Sequence, residues 1–236
     1  MILAAGLGTR LRPLTNDRPK ALVEVAGRTL LEITLARLRE FDIRDVIINV
    51  HHFADSVIEY LSANSNFGMH LEISREDVLL DTGGGVKKAA WFLRGEEPFI
   101  LHNVDVISTI DLGRMLQFHK DNHALATLAV HDRKTSRPLL FDEQLRLCGR
   151  ADPGSGLAFS GIHVLSPRIL DLIEEEGIFS IITSYLSLAK RGEKIMSFRA
   201  DEYRWRDLGR PEDLKKAAAD YAEFEKPEVR SQKPEG

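Results

Sequence analysis

The chain has 236 residues, 43% of them hydrophobic, and a formal net charge of -4 at pH 7. This length suits one large α/β domain with a sizeable core, and no apolar run approaches the roughly 18 to 20 residues that a membrane-spanning helix needs. The acidic balance, without a clustered basic stripe, argues against a nucleic-acid partner.

The amino terminus and the single cysteine bear on where the protein works. Residues Met1 to Ala5 run directly into a glycine loop without a basic leader, so no signal peptide is expected. One cysteine, Cys148, excludes an internal disulfide, and its place in an alternating apolar stretch predicts a buried thiol. Both features favour a cytoplasmic location.

Strands and helices alternate along the first half of the chain. The predicted strands lie at residues 1–5, 46–50, 71–74 and 99–101. The predicted helices lie at residues 29–41 and 54–63 and from the triplet Gly83-Gly84-Gly85 to Arg94. Such alternation is typical of a Rossmann-like, three-layer α/β fold with a mostly parallel sheet.

The second half of the chain is richer in predicted strands. Short polar turns separate four of them, at 125–130, 139–141, 145–148 and 157–164, which we interpret as a β-rich insertion. Two helices, a strand and a last helix follow, at 167–175, 178–190, 195–199 and from Pro211 onward. Residues 226–236 are charged and lack an apolar period, so we expect a polar tail.

Glycines and basic residues are concentrated where the first strand ends. Without side chains, Gly6 and Gly8 let backbone N–H groups approach a polyphosphate, and Arg10 and Lys20 follow shortly. The dinucleotide pattern G-x-G-x-x-G fails because Leu11 occupies its third glycine position, and the G-K-[ST] ending of a P-loop is missing. The sequence therefore predicts a phosphate cradle of another type.

The segment around this loop resembles a known fingerprint. It reads Leu3-Ala4-Ala5-Gly6-Leu7-Gly8-Thr9-Arg10-Leu11-Arg12-Pro13-Leu14-Thr15, followed by Pro19-Lys20, and is similar to L-A-A-G-x-G-T-R-L-R-P-L-T and P-K in the sugar-phosphate nucleotidyltransferases. The resemblance extends over most of residues 1–215. It implies an enzyme that joins an NTP to a sugar 1-phosphate, leaving an NDP-sugar and pyrophosphate. It also implies one domain over 1–225, with a nucleotide-binding half, 1–110, and a sugar-binding half, 111–225.

The same resemblance assigns roles around the loop. It implies that Gly8, Thr9 and Arg10 wrap the nucleotide phosphates, and Ala4, Ala5 and Gly6 are also expected to bind the nucleotide. Lys20 would contact both the α-phosphate and the sugar phosphate, a bridging role that suits its point charge. Arg10 and Lys20 are therefore the expected catalytic residues.

Two aspartates far apart in the sequence are candidate Mg²⁺ ligands. Asp105, in Asn103-Val104-Asp105, follows a hydrophobic strand, where an open α/β sheet binds ligands, although such an aspartate can equally form a turn. The family usually has glycine where Val104 stands, and Asn103 is expected to bind the nucleotide. Trp205-Arg206-Asp207-Leu208-Gly209 resembles the family's W-x-D-x-G element, which implies that Asp207 is the second metal ligand.

Two more glycine-containing segments are candidates for binding the base and the sugar. In Asp81-Thr82-Gly83-Gly84-Gly85, bare backbone at Gly83 and Gly84 would let a flat base lie at a helix start. This segment looks most like the N-acetylmuramate 1-phosphate uridylyltransferases. Ser160 and Gly161 resemble the sugar-facing strand of the family, and the Glu-Lys-Pro that many members place before this strand is absent, which resembles the muramate branch.

Other functions are compatible with parts of this pattern. A mannose 1-phosphate guanylyltransferase or another NDP-hexose pyrophosphorylase would share the fingerprint, and the sequence does not separate uracil from guanine. A catalytically silent regulatory protein would bind a nucleotide sugar without releasing pyrophosphate. A Rossmann oxidoreductase is disfavoured because G-x-G-x-x-G is missing. No oligomeric state is predicted.

Overall fold

The computed structural model describes residues 1–224, so the polar tail predicted at 226–236 lies outside the described residues. The strands are β1 (Ile2–Leu3), β2 (Glu24–Val25), β3 (Arg28–Thr29), β4 (Asp45–Val50), β5 (His70–Arg75), β6 (Phe99–Asn103), β7 (Val106–Ser108), β8 (Ala126–His131), β9 (Leu139–Phe141), β10 (Leu147–Arg150), β11 (Ala158–Leu165), β12 (Ile195–Arg199) and β13 (Trp205–Asp207). The α-helices are α1 (Leu30–Glu40), α2 (Ala54–Ala63), α3 (Asp81–Lys88), α4 (Ala90–Leu93), α5 (Leu112–Asp121), α6 (Ile169–Leu172), α7 (Ile181–Lys190) and α8 (Pro211–Phe224). No described helix combines the length and hydropathy that crossing a membrane requires.

Seven strands form the central sheet, in the order β12-β8-β11-β6-β1-β4-β5. They run parallel except for β11, which is antiparallel to both β6 and β8. The predicted fold class, a mostly parallel α/β sheet, is therefore confirmed. Because β1 lies between β4 and β6, the segments that follow these strands meet at one edge of the sheet, where open α/β sheets bind ligands.

Helices cover both faces of this sheet and form two hydrophobic cores. Successive side chains of β4 point to opposite faces of the sheet and so enter different cores. Val46 and Ile48 belong to the first core, which includes residues of α1, α2, α5 and α8. Ile47 belongs to the second core, which includes residues of α3, α4, α6 and α7. Helix α1 begins after Thr29, whose hydroxyl accepts the Glu32 N–H. This is the predicted three-layer arrangement.

The four strands predicted as a β-rich insertion divide between two sheets. Strands β8 and β11 join the central sheet, and β9 and β10 pair outside it as an antiparallel hairpin. Cys148 lies in β10 and is exposed, so the prediction of a buried thiol is wrong. A two-stranded hairpin has one face against the protein and one in solvent, and here Leu147 is buried while Cys148 faces outward.

Several elements of the fold differ from the predicted ones. The sequence patterns did not predict β7, which pairs with β13 in an antiparallel ribbon, or helix α5. The helix predicted to open at the glycine triplet begins earlier, at Asp81, and ends at Lys88. The three glycines therefore lie inside α3 instead of at its entrance.

Candidate active site

The glycine loop after β1 folds back over Lys20. Gly8 has a φ of +64°, a left-handed conformation that favours glycine. A Cβ atom there would lie 2.9 Å from Thr15 Cγ2 and 3.1 Å from Lys20 Cβ. The Thr15 hydroxyl donates to the Gly8 carbonyl oxygen at 2.9 Å, and the next residues form a 3-10 turn, Thr9–Leu11. Glycine at position 8 thus permits both the turn and the close approach to Lys20.

Lys20 reaches across the site to Asp105. Its Nζ donates to Asp105 Oδ2, and the lysine is 8% exposed. Lys20 begins a 3-10 turn, Lys20–Leu22, directly after Pro19, and Asp105 follows β6. The ion pair therefore connects the segment after β1 to the segment after β6.

A cavity of about 350 Å³ lies at the ends of β1 and β6. It is lined by residues of the glycine loop, the start of α3 and the loop after β6, among them Ala4, Ala5, Gly6, Lys20, Asp81, Thr82, Asn103 and Asp105. Gly6 is exposed, and no atom lies within 4 Å of the position that a Cβ on it would occupy. The backbone of the loop at Gly6 is therefore open to a ligand.

Two buried residues that were not identified from the sequence hold the start of this loop. Asn49, in β4, accepts the Ala4 N–H at 2.7 Å and donates to Glu76 Oε1 at 2.7 Å. Glu76 is 2% exposed and also accepts the Leu80 N–H at 2.9 Å. These hydrogen bonds tie the glycine loop to the start of α3. The sequence does indicate that Asn49 is unusual, because it is the polar residue in the otherwise apolar strand segment 46–50.

Gly83 and Gly84 do not line this cavity, which corrects the expectation that they form a surface for the base. Both are buried, and both of their N–H groups face the Phe179 carbonyl oxygen, at 2.9 and 3.4 Å. A Cβ on Gly83 would lie 2.2 Å from the Phe179 ring, and a Cβ on Gly84 would lie 2.3 Å from the Gly177 carbonyl oxygen. These glycines allow α3 to pack directly on the segment before α7. Of the segment Asp81-Thr82-Gly83-Gly84-Gly85, the residues that line the cavity are Asp81 and Thr82.

The two candidate metal ligands come together through β7 and β13. Asp207 pairs with Val106 in this ribbon, and the Leu208 N–H donates to the Asp105 carbonyl oxygen at 2.7 Å. Asp207 Oδ1 accepts the Gly209 N–H at 2.7 Å. The ribbon thus makes Asp105 and Asp207 neighbours although they are far apart in the sequence.

The donor atoms at this point suit a hard cation. Asn103 Oδ1 is buried and has no hydrogen-bond partner among residues 1–224. The described part of the chain has no group of three or more His, Cys, Asp or Glu side chains placed to hold a metal. Mg²⁺ is commonly held by one or two carboxylates, with phosphate oxygens and water completing its shell. Asp105 and Asp207 supply two such carboxylates, and Asn103 lines one cavity with Asp105 and the other cavity with Asp207.

Val104 occupies the position where the family usually has glycine. Its side chain is 3% exposed and packs in a hydrophobic core, and its φ is not in the left-handed region. Its N–H donates to the Leu3 carbonyl oxygen at 3.1 Å. The loop between Asn103 and Asp105 therefore does not require glycine in this protein.

A second cavity, of about 290 Å³, meets the first at Asn103. Gly161, in β11, has a φ of +79°, and a Cβ there would lie 2.9 Å from Asn103 Nδ2. Ser160 also lines this cavity, but its hydroxyl pairs with His131 Nδ1 at 2.6 Å. The Ser160 carbonyl oxygen accepts the Trp205 Nε1–H at 2.7 Å. The residues predicted to bind sugar are thus at a cavity wall, and the Ser160 hydroxyl already has a partner.

Three arginines that line this second cavity were not identified from the sequence. They are Arg133, Arg137 and Arg150, and Arg133 stacks on Trp205 with its Cζ 4.1 Å from the ring centroid. Arg10 shares with Arg133 and Arg137 a wider opening of about 540 Å³. The signal in the sequence is a short basic run at 133–137, separated by one residue from the end of β8.

Arg10 lies beside Asp207 at this opening. Both Arg10 Nη2 and Asp207 Oδ1 would be 2.7 Å from a Cβ placed on Gly209, so only glycine fits between them. Arg10 forms no ion pair within residues 1–224. Its charge is therefore available to an anionic ligand.

Comparisons with known proteins agree with this geometry. A family model described as "Nucleotidyl transferase" matches residues 1–141. An N-acetylmuramate alpha-1-phosphate uridylyltransferase of Caulobacter vibrioides is 36% identical over 94% of this chain and 96% of its own length. A mannose-1-phosphate guanyltransferase of Yarrowia lipolytica is 30% identical over 91% of this chain, which spans 61% of that protein.

A similar fold is found among solved structures. HddC from Yersinia pseudotuberculosis, complexed with GMP-PN, superposes with a TM-score of 0.78 at 24% identity. The match covers 93% of this chain and 97% of the other. At this identity the likeness concerns the fold.

Proposed function

This chain belongs to the nucleotidyl transferase family and is a sugar-1-phosphate nucleotidyltransferase, and we propose that it transfers UMP from UTP to N-acetylmuramate 1-phosphate. The relative with that activity in its name is matched over 96% of its length, whereas the chain spans 61% of the mannose-1-phosphate relative. The segment Asp81-Thr82-Gly83-Gly84-Gly85 supports the same choice, because it looks most like the muramate enzymes.

The observation that carries the mechanism is the position of Lys20 between the glycine loop and Asp105. We propose that an oxygen of the sugar phosphate attacks the α-phosphorus of the NTP in line. The bond from this phosphorus to the bridging oxygen of the β-phosphate breaks, and its electron pair leaves with pyrophosphate. Since a phosphate dianion is already a nucleophile, the protein must mainly reduce the repulsion between two polyanions and align them.

The predicted site residues other than Gly83 and Gly84 then have tasks that their surroundings support. The backbone at Ala4, Ala5, Gly6 and Gly8 and the side chains of Thr9 and Asn103 would hold the nucleotide. Lys20 would neutralise charge between the reacting phosphates, and Arg10, with no ion-pair partner in the described chain, would neutralise the leaving pyrophosphate. The wall at Ser160 and Gly161 would face the sugar.

Asp105 and Asp207 are the residues that would hold Mg²⁺. Mg²⁺ bound to phosphate oxygens would neutralise part of their negative charge and help to orient the triphosphate. The carboxylates supply the hard oxygen atoms that this ion requires, and Asp207 is kept in place by the Gly209 N–H. A cytoplasmic location remains a prediction, which the need for an NTP substrate favours.

A pyrophosphate-release screen tests the proposal. The four NTPs are each combined, in the presence of Mg²⁺, with N-acetylmuramate, N-acetylglucosamine, mannose and glucose 1-phosphates. We expect the highest kcat/KM for UTP with N-acetylmuramate 1-phosphate. The highest value for GTP with mannose 1-phosphate would instead establish the guanylyltransferase alternative. Nucleotide binding in calorimetry without pyrophosphate release in any combination would establish the silent regulatory alternative.

A further inference from the structure

Positive side chains outnumber negative ones in the lining of the second cavity. Arg133, Arg137 and Arg150 line it, and Asp207 is the one carboxylate among its described lining residues. None of the three arginines forms an ion pair within the described chain. Asp207 already accepts the Gly209 N–H. The lining of this cavity therefore carries a net positive charge, because three arginines face one aspartate.

Arg133 is held in position and still has an unused donor. Its guanidinium stacks on the Trp205 ring, and its Nη2 donates to the Phe159 carbonyl oxygen at 3.0 Å. Its Nε is buried without a hydrogen-bond partner in the part of the chain that the structure describes. Burial lowers the pKa of Arg133, an effect that the negative charge of Asp207 opposes. A guanidinium that is held in this way and partly desolvated forms a strong charge-assisted hydrogen bond to an anion.

Arg133 and Arg137 share the wider opening with Arg10, whereas Arg150 does not line it. The glycine loop and Lys20, where the α-phosphate and the sugar phosphate are expected to react, line the first cavity, and none of the three arginines lines it. The arginines instead share the second cavity with Gly161 and Trp205, where the sugar is expected. An anionic group on the sugar itself would therefore meet them.

We propose that Arg133, assisted by Arg137 and Arg150, binds a carboxylate carried by the sugar and so selects an acidic sugar 1-phosphate. This inference rests on the proposed function and adds the determinant of its sugar specificity. N-acetylmuramate differs from N-acetylglucosamine by a lactyl ether whose carboxylate is the group that this cavity would recognise. The same charge would give a neutral hexose no comparable bond.

The test compares two sugars that differ only in this ether. With UTP, kcat/KM is measured for N-acetylmuramate 1-phosphate and for N-acetylglucosamine 1-phosphate, and their ratio gives the specificity. We expect the ratio to fall at least about tenfold in Arg133→Met and in Arg150→Ala, because each loses a charge-assisted hydrogen bond to the carboxylate. Arg133→Lys keeps the charge and should keep part of the ratio. Arg146→Ala, which removes an exposed arginine just before β10 that is not part of the cavity lining, should keep the wild-type ratio.

The outcomes separate this inference from the proposed function. If both sugars lose the same factor in Arg133→Met and in Arg150→Ala, the arginines serve the phosphates or the fold, and the carboxylate site is wrong while the proposed chemistry stands. The carboxylate site is also wrong if the wild-type enzyme uses both sugars equally well. If no NTP with any sugar 1-phosphate yields pyrophosphate, the proposed function fails and the inference falls with it. Arg150 is exposed, so Arg150→Ala answers the question even if Arg133→Met does not fold.

Discussion

Lys20 donates to Asp105 in the free protein, so the cation expected to meet phosphates is bonded to the anion expected to meet Mg²⁺. Their side chains are 10% and 18% exposed, and charges with so little solvent around them interact more strongly than on the surface. The pair keeps the two groups at the edge of the cavity before substrate arrives. Arriving phosphates would compete with Asp105 for the ammonium, and this exchange would leave Asp105 available to the metal ion.

Replacing Lys20 tests its proposed role between the two phosphates. We expect Lys20→Ala to lower kcat for pyrophosphate release at least about a hundredfold, because it removes a charge placed where negative charge is concentrated in the transition state. Lys88→Ala, at an exposed lysine of α3, is the control and should keep kcat near the wild-type value. A Lys20→Ala enzyme within about threefold of wild type would contradict the assignment.

Asp207 is tested through rate and metal dependence together. Asp207→Ala should lower kcat at least about a hundredfold, and Asp207→Asn should raise the Mg²⁺ concentration that gives half of the maximal rate, because a neutral amide binds the cation less strongly. Both are measured by pyrophosphate release during Mg²⁺ titrations. The matched control, Asp171→Asn, changes an exposed aspartate whose partner is Arg94. An unchanged titration curve in Asp207→Asn would show that this carboxylate does not hold the ion.

Local patterns predicted those parts of the site that depend on local chain geometry. The fingerprint between Leu3 and Lys20 identified the glycine loop because glycine conformation and basic charge are properties of neighbouring residues. The alternation of strands and helices predicted the sheet for the same reason. The pairing of Lys20 with Asp105, by contrast, depends on which strands become neighbours in the sheet, and no sequence spacing encodes that.

The residues that went unrecognised are determined by tertiary packing. The triplet at 83–85 could be interpreted as a bare surface or as a close helix contact, and only the position of Phe179 decides between them. Arg133 follows a strand in a basic run that also suits a solvated loop. Its stacking on Trp205, which is remote in the sequence, is what brings it to the cavity.

The different surroundings of two glycines give opposite expectations for an added methyl group. Gly84→Ala should destabilise the fold by about 1–3 kcal/mol, because its Cβ would overlap the Gly177 carbonyl oxygen, and this outweighs the better helix propensity of alanine.

Gly6→Ala should leave the melting temperature near wild type, because its Cβ meets no atom within 4 Å. It should instead raise the KM for the NTP, since the methyl group stands where phosphates approach the backbone. Thermal melts and steady-state kinetics of the two variants check this, with Gly95→Ala as a control at another open position. Equal melting temperatures for Gly84→Ala and Gly95→Ala would contradict the packing role.

Buried histidines should make the stability of this fold fall on mild acidification. Burial lowers the pKa of His102 and His119 to about 4 and that of His163 to about 3, against an ordinary value of 6.5. Above the ordinary value these rings are neutral in both states and add no pH dependence. Below it the unfolded chain takes up protons that the folded chain excludes, so the free energy of unfolding decreases by up to about 1.4 kcal/mol per pH unit for each such histidine.

His163 allows this to be measured at a single ring. It is fully buried and its Nδ1 pairs with the Tyr185 hydroxyl at 2.7 Å. We expect His163→Gln to be less stable than wild type at neutral pH, yet to lose less stability between about pH 6.5 and about pH 4, because one proton-excluding ring is gone. Urea denaturation at several pH values gives both slopes. If the free energy of unfolding depends on pH in the same way in wild type and in His163→Gln, the folded and unfolded chains bind protons equally at this ring. That result would contradict the exclusion of protons by its burial.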